Sequence, residues 1–207
     1  MIEQGTPEWL AERLGKATAS RIADIMAKTK SGPSASRQNY AAELIAERLT
    51  GVGGDFYINA AMQRGTDLEP LARDAYSFES GNAVVPVGLV AHPSIEMSGA
   101  SPDGLVGADG LVEIKCPGTA KHIATLTGSS IDGKYICQMQ WQMSCTERQW
   151  CDFVSYDPRL PVEMQLATRR VHRDDLAIAE MEREVIVFLA EVDATVALLT
   201  TQFRKAA

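Results

Sequence analysis

The sequence lacks any apolar run near the roughly 20 residues that a membrane-spanning helix requires. It holds only three histidines and four cysteines, with no C-x-x-C and no H-x-x-x-H pair, so we expect no zinc site. Its first residues lack the basic and apolar blocks of a signal peptide. We therefore expect a cytoplasmic protein with reduced cysteines and no membrane partner.

Positive charge is also scarce, because 20 Lys and Arg stand against 27 Asp and Glu, a net charge of −7. This balance argues against a surface coated in nucleic acid, since phosphate binding needs Lys and Arg. Residues 13–37 depart from it, with six basic groups and one acid, Asp24. A solvated helix face explains such a run as readily as a phosphate-binding surface, so charge alone leaves the partner open.

The composition, 45% hydrophobic and 23% charged, is that of a globular protein and excludes disordered, collagen-like and coiled-coil chains. No repeat or long linker interrupts it, so residues 1–207 are predicted to form one domain. Helical patterns fill residues 1–80, strand patterns dominate 81–170, and a long amphipathic helix covers 173–200. The prediction is an α/β (α+β) fold with a central mixed β-sheet flanked by helices.

Start and stop residues divide these regions into elements. Thr6 is predicted to cap a first helix, Ser20 to begin a second, and Ser36 to cap a third that ends at Gly51. A fourth helix is predicted over residues 59–79, with Leu71 on its apolar stripe. The elements predicted after the third helix are helices over 59–79, 134–147 and 173–200, and strands over 84–90, 149–156 and 162–169.

A β-hairpin is predicted over residues 104–115, because Asp109-Gly110 favours a two-residue turn. With that turn, Gly104 pairs with Lys115 across the two strands. Asp103 then lies at the open end of the hairpin.

Two carboxylates and a lysine are expected to converge there. Glu113 and Lys115 are two residues apart in a strand and point to one face, beside Asp103. Carboxylate oxygens suit Mg²⁺ or Mn²⁺, which make a bound water more acidic and neutralise charge on a phosphodiester. A lysine beside that water can orient it and stabilise developing charge. The set predicts phosphodiester hydrolysis.

The same residues have a second interpretation. Ser-Pro-Asp-Gly is an ordinary turn, and Glu113 and Lys115 can form a surface charge pair. The apolar neighbours Val112 and Ile114 favour a functional site, because an unpaired carboxylate in a buried strand is costly.

A series of short motifs accompanies this pattern along nearly the whole chain: Glu8-Trp9 with Arg13, Thr18-Ala19-Ser20, Arg64-Gly65 with Glu69, Ser101-Pro102-Asp103-Gly104-Leu105, Glu113-Ile114-Lys115-Cys116-Pro117, Tyr135-x-x-Gln138-x-Gln140-x-x-Met143 and Tyr156-Asp157-Pro158-Arg159. Each motif is weak alone, but their order and spacing are specific. Together they resemble the phage-type alkaline exonucleases of the lambda exonuclease (YqaJ) family, within the PD-(D/E)xK nuclease superfamily.

The resemblance implies a restriction-endonuclease-like core with a two-metal site for Mg²⁺, with Mn²⁺ as an alternative. Asp103, Glu113 and the backbone carbonyl of Ile114 match the family's metal ligands. Glu69 matches the carboxylate that completes the second metal position, and Lys115 matches the residue that positions the attacking water.

The resemblance also implies phosphate-binding residues. Arg13 and Ser20 match the family's site for the 5′-terminal phosphate of duplex DNA. Ser101 and Gln138 match polar groups near the scissile phosphate, with Gln140 as a further candidate on the same helix.

The implied activity is a metal-dependent 5′→3′ exonuclease on linear double-stranded DNA with a 5′-phosphate. It releases mononucleotides and leaves a 3′ overhang for recombination by strand annealing. The resemblance further implies a ring-shaped homotrimer, with the basic segment as one wall of the DNA passage, and a single-strand annealing protein as partner. Met62 falls at the family's apolar strand-separating wedge, and a buried core methionine is its alternative interpretation.

Two other hypotheses stay open. The first is an iron–sulfur nuclease of the same superfamily, which would use the four cysteines, Cys116, Cys137, Cys145 and Cys151. The second is a module that binds DNA ends without cleaving them.

Overall fold

The computed structural model describes residues 2–30, 32–54 and 59–203, so residues 1, 31, 55–58 and 204–207 of the predicted domain lie outside the described residues. Among the described residues, no helix is long and apolar enough to cross a membrane. The helices are α1 (Pro7–Arg13), α2 (Ile22–Met26), α3 (Ala35–Thr50), α4 (Ala60–Ser80), α5 (Thr119–Leu126), α6 (Gly133–Thr146) and α7 (Asp175–Phe203), with 3-10 turns at Ala19–Arg21 and Val162–Met164.

The strands are short except in the centre of the molecule. They are β1 (Ala17–Thr18), β2 (Lys28–Thr29), β3 (Gly32–Pro33), β4 (Val84–Val85), β5 (Val90–Ala91), β6 (Ser98–Ala100), β7 (Gly104–Val106), β8 (Gly110–Lys115), β9 (Trp150–Tyr156) and β10 (Leu166–His172).

The central sheet has five strands in the order β10-β9-β8-β7-β4. Strands β8 and β9 run parallel, and the other neighbours are antiparallel. The parallel pair requires a crossover, which α5 and α6 provide. The predicted mixed sheet flanked by helices is confirmed.

Helices cover both faces of this sheet. Val112 and Ile114 of β8 pack with Tyr76 of α4 on one face. Leu111 of the same strand packs with Met139 of α6 on the other. Successive strand residues alternate between faces, so each face of β8 supplies one part of the core.

A second core lies between helices, where Trp141 of α6 packs with residues of α2, α3 and α7. Tyr40 of α3 stacks on Phe188 of α7 with ring centroids 5.5 Å apart. The inward face predicted for the last helix is confirmed, since its five apolar residues are buried: Met181, Val185, Phe188, Leu189 and Val192. Leu71 of α4 is instead 53% exposed, because the buried row of that helix runs through Ala72 and Tyr76.

The hairpin forms, but its predicted two-residue turn is wrong. Val106 pairs with Gly110, so the loop has three residues, 107–109. Gly104 consequently pairs with Val112 and not with the expected Lys115.

Two of the hairpin's three glycines, Gly107 and Gly110, explain the change in register. Gly107 takes the positive φ of 54° that the loop requires. Gly110 lies in the strand beneath the indole of Trp150, where an added Cβ would be 2.1 Å from a ring atom. Gly110 is therefore needed for close packing and not for the turn.

Other predicted boundaries also move. Ser34, and not Ser36, caps α3 by accepting a hydrogen bond from the Arg37 amide. Ser20 lies within the 3-10 turn and starts no α-helix. The strand expected at 84–90 is divided between two sheets, because Pro86 has no N–H to continue a ladder.

The strand expected at 162–169 is also displaced. Residues 162–164 form a 3-10 turn after Pro161, and the strand begins at Leu166. The turn reverses the chain so that β10 can pair with all seven residues of β9.

Substitution of Gly110 by alanine should destabilise the protein by about 1–3 kcal/mol, because its Cβ overlaps the Trp150 ring. Gly133→Ala is the matched control, since its added Cβ meets no atom within 4 Å. Urea unfolding of both variants provides the measurement. Equal stability of the two would contradict the packing role of Gly110.

Candidate active site

The Glu113 carboxylate is completely buried between β8 and α6. Its Oε1 accepts a hydrogen bond from Gln138 Nε2 at 2.7 Å and is ion-paired with Lys115 Nζ. Its Oε2 accepts a hydrogen bond from Gln142 Nε2 at 2.6 Å. Every donor to this carboxylate therefore comes from β8 itself or from α6.

Asp103 lies directly before β7 and reaches across the open end of the hairpin. Its Oδ2 accepts a hydrogen bond from the Ile114 amide at 2.6 Å. That bond places Asp103 beside the strand that carries Glu113 and Lys115. The structure thus brings together the three residues expected to converge.

The charges in this group are strongly coupled. Burial and the neighbouring Glu113 charge raise the pKa of Asp103 well above its ordinary value. Burial also raises the pKa of Glu69, with Arg73 opposing the shift and Glu113 adding to it. Burial opposes the charge on Lys115, but the carboxylates of Glu113 and Asp103 raise its pKa overall. The carboxylates outnumber the lysine, so an added positive charge would be electrostatically favourable in this group.

The donor set fits a divalent cation by type and charge. Glu69, Asp103 and Glu113 offer the oxygen ligands that Mg²⁺ and Mn²⁺ prefer, and burial together with the neighbouring negative charge raises the pKa values of Glu69 and Asp103. Within the described ranges, no three His, Cys, Asp or Glu side chains are already arranged to hold a metal ion. Lys115 is ion-paired with Glu113, and Arg73 is ion-paired with Glu69 at 2.5 Å. These two protein cations neutralise the two glutamates.

Arg13 lies in a second polar group that joins the first through Ser101. Its guanidinium lies 4.2 Å from the centroid of the Trp9 ring and donates to the hydroxyl oxygens of Thr18 (3.2 Å) and Ser101 (3.4 Å). The Trp9 indole donates to the same Ser101 oxygen at 3.0 Å. No carboxylate lies within ion-pair distance of Arg13 in the described part of the chain. Ser101 is two residues from Asp103, so the two groups are adjacent.

Two predicted site residues lie outside these groups. Ser20 is exposed, and its hydroxyl has no hydrogen-bond partner among the described residues. Met62 is 50% exposed in the first turn of α4, so the alternative of a buried core methionine is wrong.

Three of the six basic side chains in segment 13–37 are ion-paired with acids among the described residues. Arg21 pairs with Asp24 and Glu43, both at 2.6 Å. The other two ion pairs in the segment reach α7: Lys28 to Glu184 and Arg37 to Glu191, each at 2.7 Å. These three side chains therefore tie elements of the fold together through ion pairs, whereas Arg13 has no ion pair among the described residues.

The glutamines of α6 have separate roles. Gln138 donates a hydrogen bond to Glu113, so it lies beside the carboxylate group. Gln140 points elsewhere, donating to the His172 carbonyl and accepting from the Asp174 amide. Gln142, which the sequence analysis overlooked, also binds Glu113. The helical i,i+4 spacing of Gln138 and Gln142 was the signal that could have found it.

Asp157 anchors the far end of β8, a role that the sequence did not suggest. It is fully buried and accepts hydrogen bonds from Thr119, Arg64 and Arg159. These bonds hold the pKa of Asp157 well below its ordinary value, with Arg159 contributing most. Arg64 also donates to the carbonyl of Cys116, so this network fixes the chain just after Lys115.

The four cysteines are distributed through the fold. Cys145 belongs to the interhelical core, and Cys151, a residue of β9, belongs to the core between the sheet and α6. Cys116 follows β8, and Cys137 lies on α6. In the described ranges they do not gather into a metal-binding group, which removes support from the iron–sulfur hypothesis.

A mixed sheet with an aspartate beside Glu-x-Lys on the adjacent strand defines a nuclease-like class of protein. Residues 8–149 match the model of the YqaJ-like viral recombinase domain. The chain belongs to this family.

Solved structures agree with that assignment. An alkaline exonuclease (LHK-Exo) from Laribacter hongkongensis, solved also in complex with dAMP, is 58% identical to the chain, with a TM-score of 0.89. Each match covers 95% of this chain and 97% of the other. The resemblance to phage-type alkaline exonucleases is thereby confirmed.

A more distant structure shares the fold alone. A phage-related exonuclease from Haemophilus somnus 129PT is 18% identical, with a TM-score of 0.69, over 89% of this chain and 96% of the other. Among curated proteins, none matches the chain.

Asp103→Asn should raise the melting temperature of the metal-free protein at pH 8. The folded-state pKa of Asp103 is raised, so the folded protein loses stability as the pH rises from the ordinary pKa of an aspartate to the raised one, and this loss is complete above the raised pKa. The gain should disappear as the pH falls toward the ordinary range of an aspartate. Thermal unfolding in EDTA at pH 8 and pH 5 tests this, with exposed Asp74→Asn of α4 as control. A loss of stability at pH 8 would count against crowded negative charge.

Proposed function

We propose that the chain is a metal-dependent exonuclease that degrades one strand of linear double-stranded DNA from 5′ to 3′. The observation that carries the proposal is the convergence of Asp103, Glu113 and Lys115 at the open end of the hairpin, in a member of the YqaJ-like family. The Laribacter relative binds dAMP, which supports a deoxynucleoside monophosphate as product.

The proposed metal ligands are Asp103, Glu113, Glu69 and the Ile114 carbonyl. When bound there, Mg²⁺ or Mn²⁺ supplies charge neutralisation at the phosphodiester and a more acidic water. Two such ions would be held, by resemblance to the family. For these ions to bind, Glu113 must give up its ion pair with Lys115, and Glu69 must give up its ion pair with Arg73.

Lys115 has the geometry of a water-positioning residue. Its ammonium lies at the Glu113 carboxylate, its side chain is 27% exposed, and its raised pKa keeps it charged. The water loses a proton as its oxygen bonds to phosphorus, the bond from phosphorus to the 3′ oxygen of the terminal nucleotide breaks, and that oxygen takes up a proton and leaves as the 3′-hydroxyl. The new strand end therefore carries a 5′-phosphate, so one recognition site serves every cycle.

Arg13 is the proposed ligand of that terminal phosphate. Its guanidinium fork suits phosphate oxygens, and no carboxylate among the described residues competes for it. Ser101 links it to the hydrolytic group, and the exposed hydroxyl of Ser20 offers a further donor. Gln138, which holds Glu113, would lie near the scissile phosphate.

The assembly around this site is proposed from the family. A homotrimer would enclose the duplex, and a single-strand annealing protein would receive the 3′ overhang in phage-type recombination. Met62 supports a strand-separating role by its exposure at the start of α4, since an apolar side chain can enter a base step.

Linear duplex DNA with a 5′-phosphate at one end and a 5′-hydroxyl at the other should be digested from the phosphorylated end in Mg²⁺. EDTA or Glu113→Ala should abolish digestion, because EDTA removes the metal ion and the substitution removes one of its proposed ligands. Strand-specific end labels and gel electrophoresis provide the measurement. Bound but undigested ends in every lane would instead support the module that binds DNA without cleaving it.

Arg13→Gln should reduce the preference for the phosphorylated end by about tenfold or more, since a charge-assisted hydrogen bond is lost. Digestion from the hydroxyl end should change little. The control is Arg183→Gln, an exposed arginine on α7. An unchanged ratio of the two rates would remove Arg13 from the phosphate site.

A further inference from the structure

Gln142 is the buried half of the contact between α6 and Glu113. Its side chain is fully buried, and its Nε2 donates to Glu113 Oε2 at 2.6 Å. The other oxygen of the Glu113 carboxylate, Oε1, accepts a hydrogen bond from Gln138 and is ion-paired with Lys115. Both of these side chains are partly exposed. The two carboxylate oxygens therefore face different surroundings, one toward the core and one toward the accessible side of the site.

The orientation of the Gln142 amide follows from Glu113. An ionised carboxylate only accepts hydrogen bonds, so the NH₂ group of the amide must face it. The other end of the amide, Gln142 Oε1, is buried without a hydrogen-bond partner among the described residues. A buried acceptor left unsatisfied is costly, and natural proteins contain few of them. Gln142 thus leaves its carbonyl unpaired while it holds Glu113.

We infer that Gln142 is a positioning residue for the metal-binding carboxylate. By binding Oε2 it fixes the plane of the carboxylate and leaves Oε1 as the oxygen that Glu113 presents to a cation. Without Gln142 the carboxylate is free to rotate toward its other donors, and its geometry as a ligand is lost. This inference rests on the proposed function.

The same helix provides a matched control. Gln140 is also buried, at 3% exposure, and its amide makes two hydrogen bonds, to the His172 carbonyl and from the Asp174 amide. None of its hydrogen bonds reaches Glu113. Replacing either glutamine by methionine removes one buried amide of similar size from α6, but only Gln142→Met removes a donor to Glu113.

The experiment measures Mn²⁺ binding to the full chain without DNA, by titration calorimetry and by the electron paramagnetic resonance of free Mn²⁺. Gln142→Met should weaken Mn²⁺ binding by about tenfold or more, the usual effect of losing a group that orients a metal ligand. Gln140→Met should stay within about twofold of wild type, by the same comparison. Gln142→Asn keeps an amide but shortens it by one methylene group, so it should also weaken binding.

Half-maximal Mg²⁺ for DNA digestion gives a second readout. It should rise in Gln142→Met and Gln142→Asn, and excess Mg²⁺ should restore digestion, which it would not do for a merely misfolded protein. Thermal unfolding confirms which variants are folded. Wild-type Mn²⁺ affinity in either folded Gln142 variant, or an equal loss in Gln140→Met, overturns the inference while wild-type digestion keeps the nuclease. Wild-type protein that neither binds Mn²⁺ nor digests DNA overturns both.

Discussion

The burial of one ionised side chain, Glu113, constrains the rest of this structure. A carboxylate with no exposed surface is strongly unfavourable unless donors surround it. Those donors are Lys115, two residues along β8, and Gln138 and Gln142, one turn apart on α6. Helix α6 must therefore cross the sheet at one position and rotation, and the β8–α5–α6–β9 crossover places it there.

The same helix links the site to the interhelical core. While Gln138 and Gln142 face the sheet, Trp141 packs among α2, α3 and α7. Gln140 connects α6 to the start of α7 through the Asp174 amide. A shift of α6 would disturb the Glu113 donors and the helical core together, so the bundle acts as a support for the carboxylate cluster.

Local sequence patterns were enough to predict that the carboxylates and the lysine converge, but not the packing around them. The convergence of Glu113 and Lys115 follows from the two-residue period of a strand. The register of their hairpin does not, because Gly110 is needed under Trp150, a residue distant in sequence. Gln142 was accessible through its i,i+4 spacing from Gln138, but its partner lies on another element. Long-range packing therefore decided the hairpin register and the contact between Gln142 and Glu113.

Charge shows the same contrast between local pattern and tertiary pairing. Charge alone left the basic run open, and only the family resemblance implied one wall of a DNA passage; in the structure, Lys28 and Arg37 pair with acids of α7. Arg13 has no such ion pair among the described residues; it contacts Trp9 and Ser101, and burial lowers its pKa from a very high ordinary value. In a chain of net charge −7, a guanidinium that has no ion pair among the described residues and lies beside the carboxylate cluster fits the proposed binding of a single phosphate better than binding along a stretch of backbone. That distribution is suited to recognising the end of a strand.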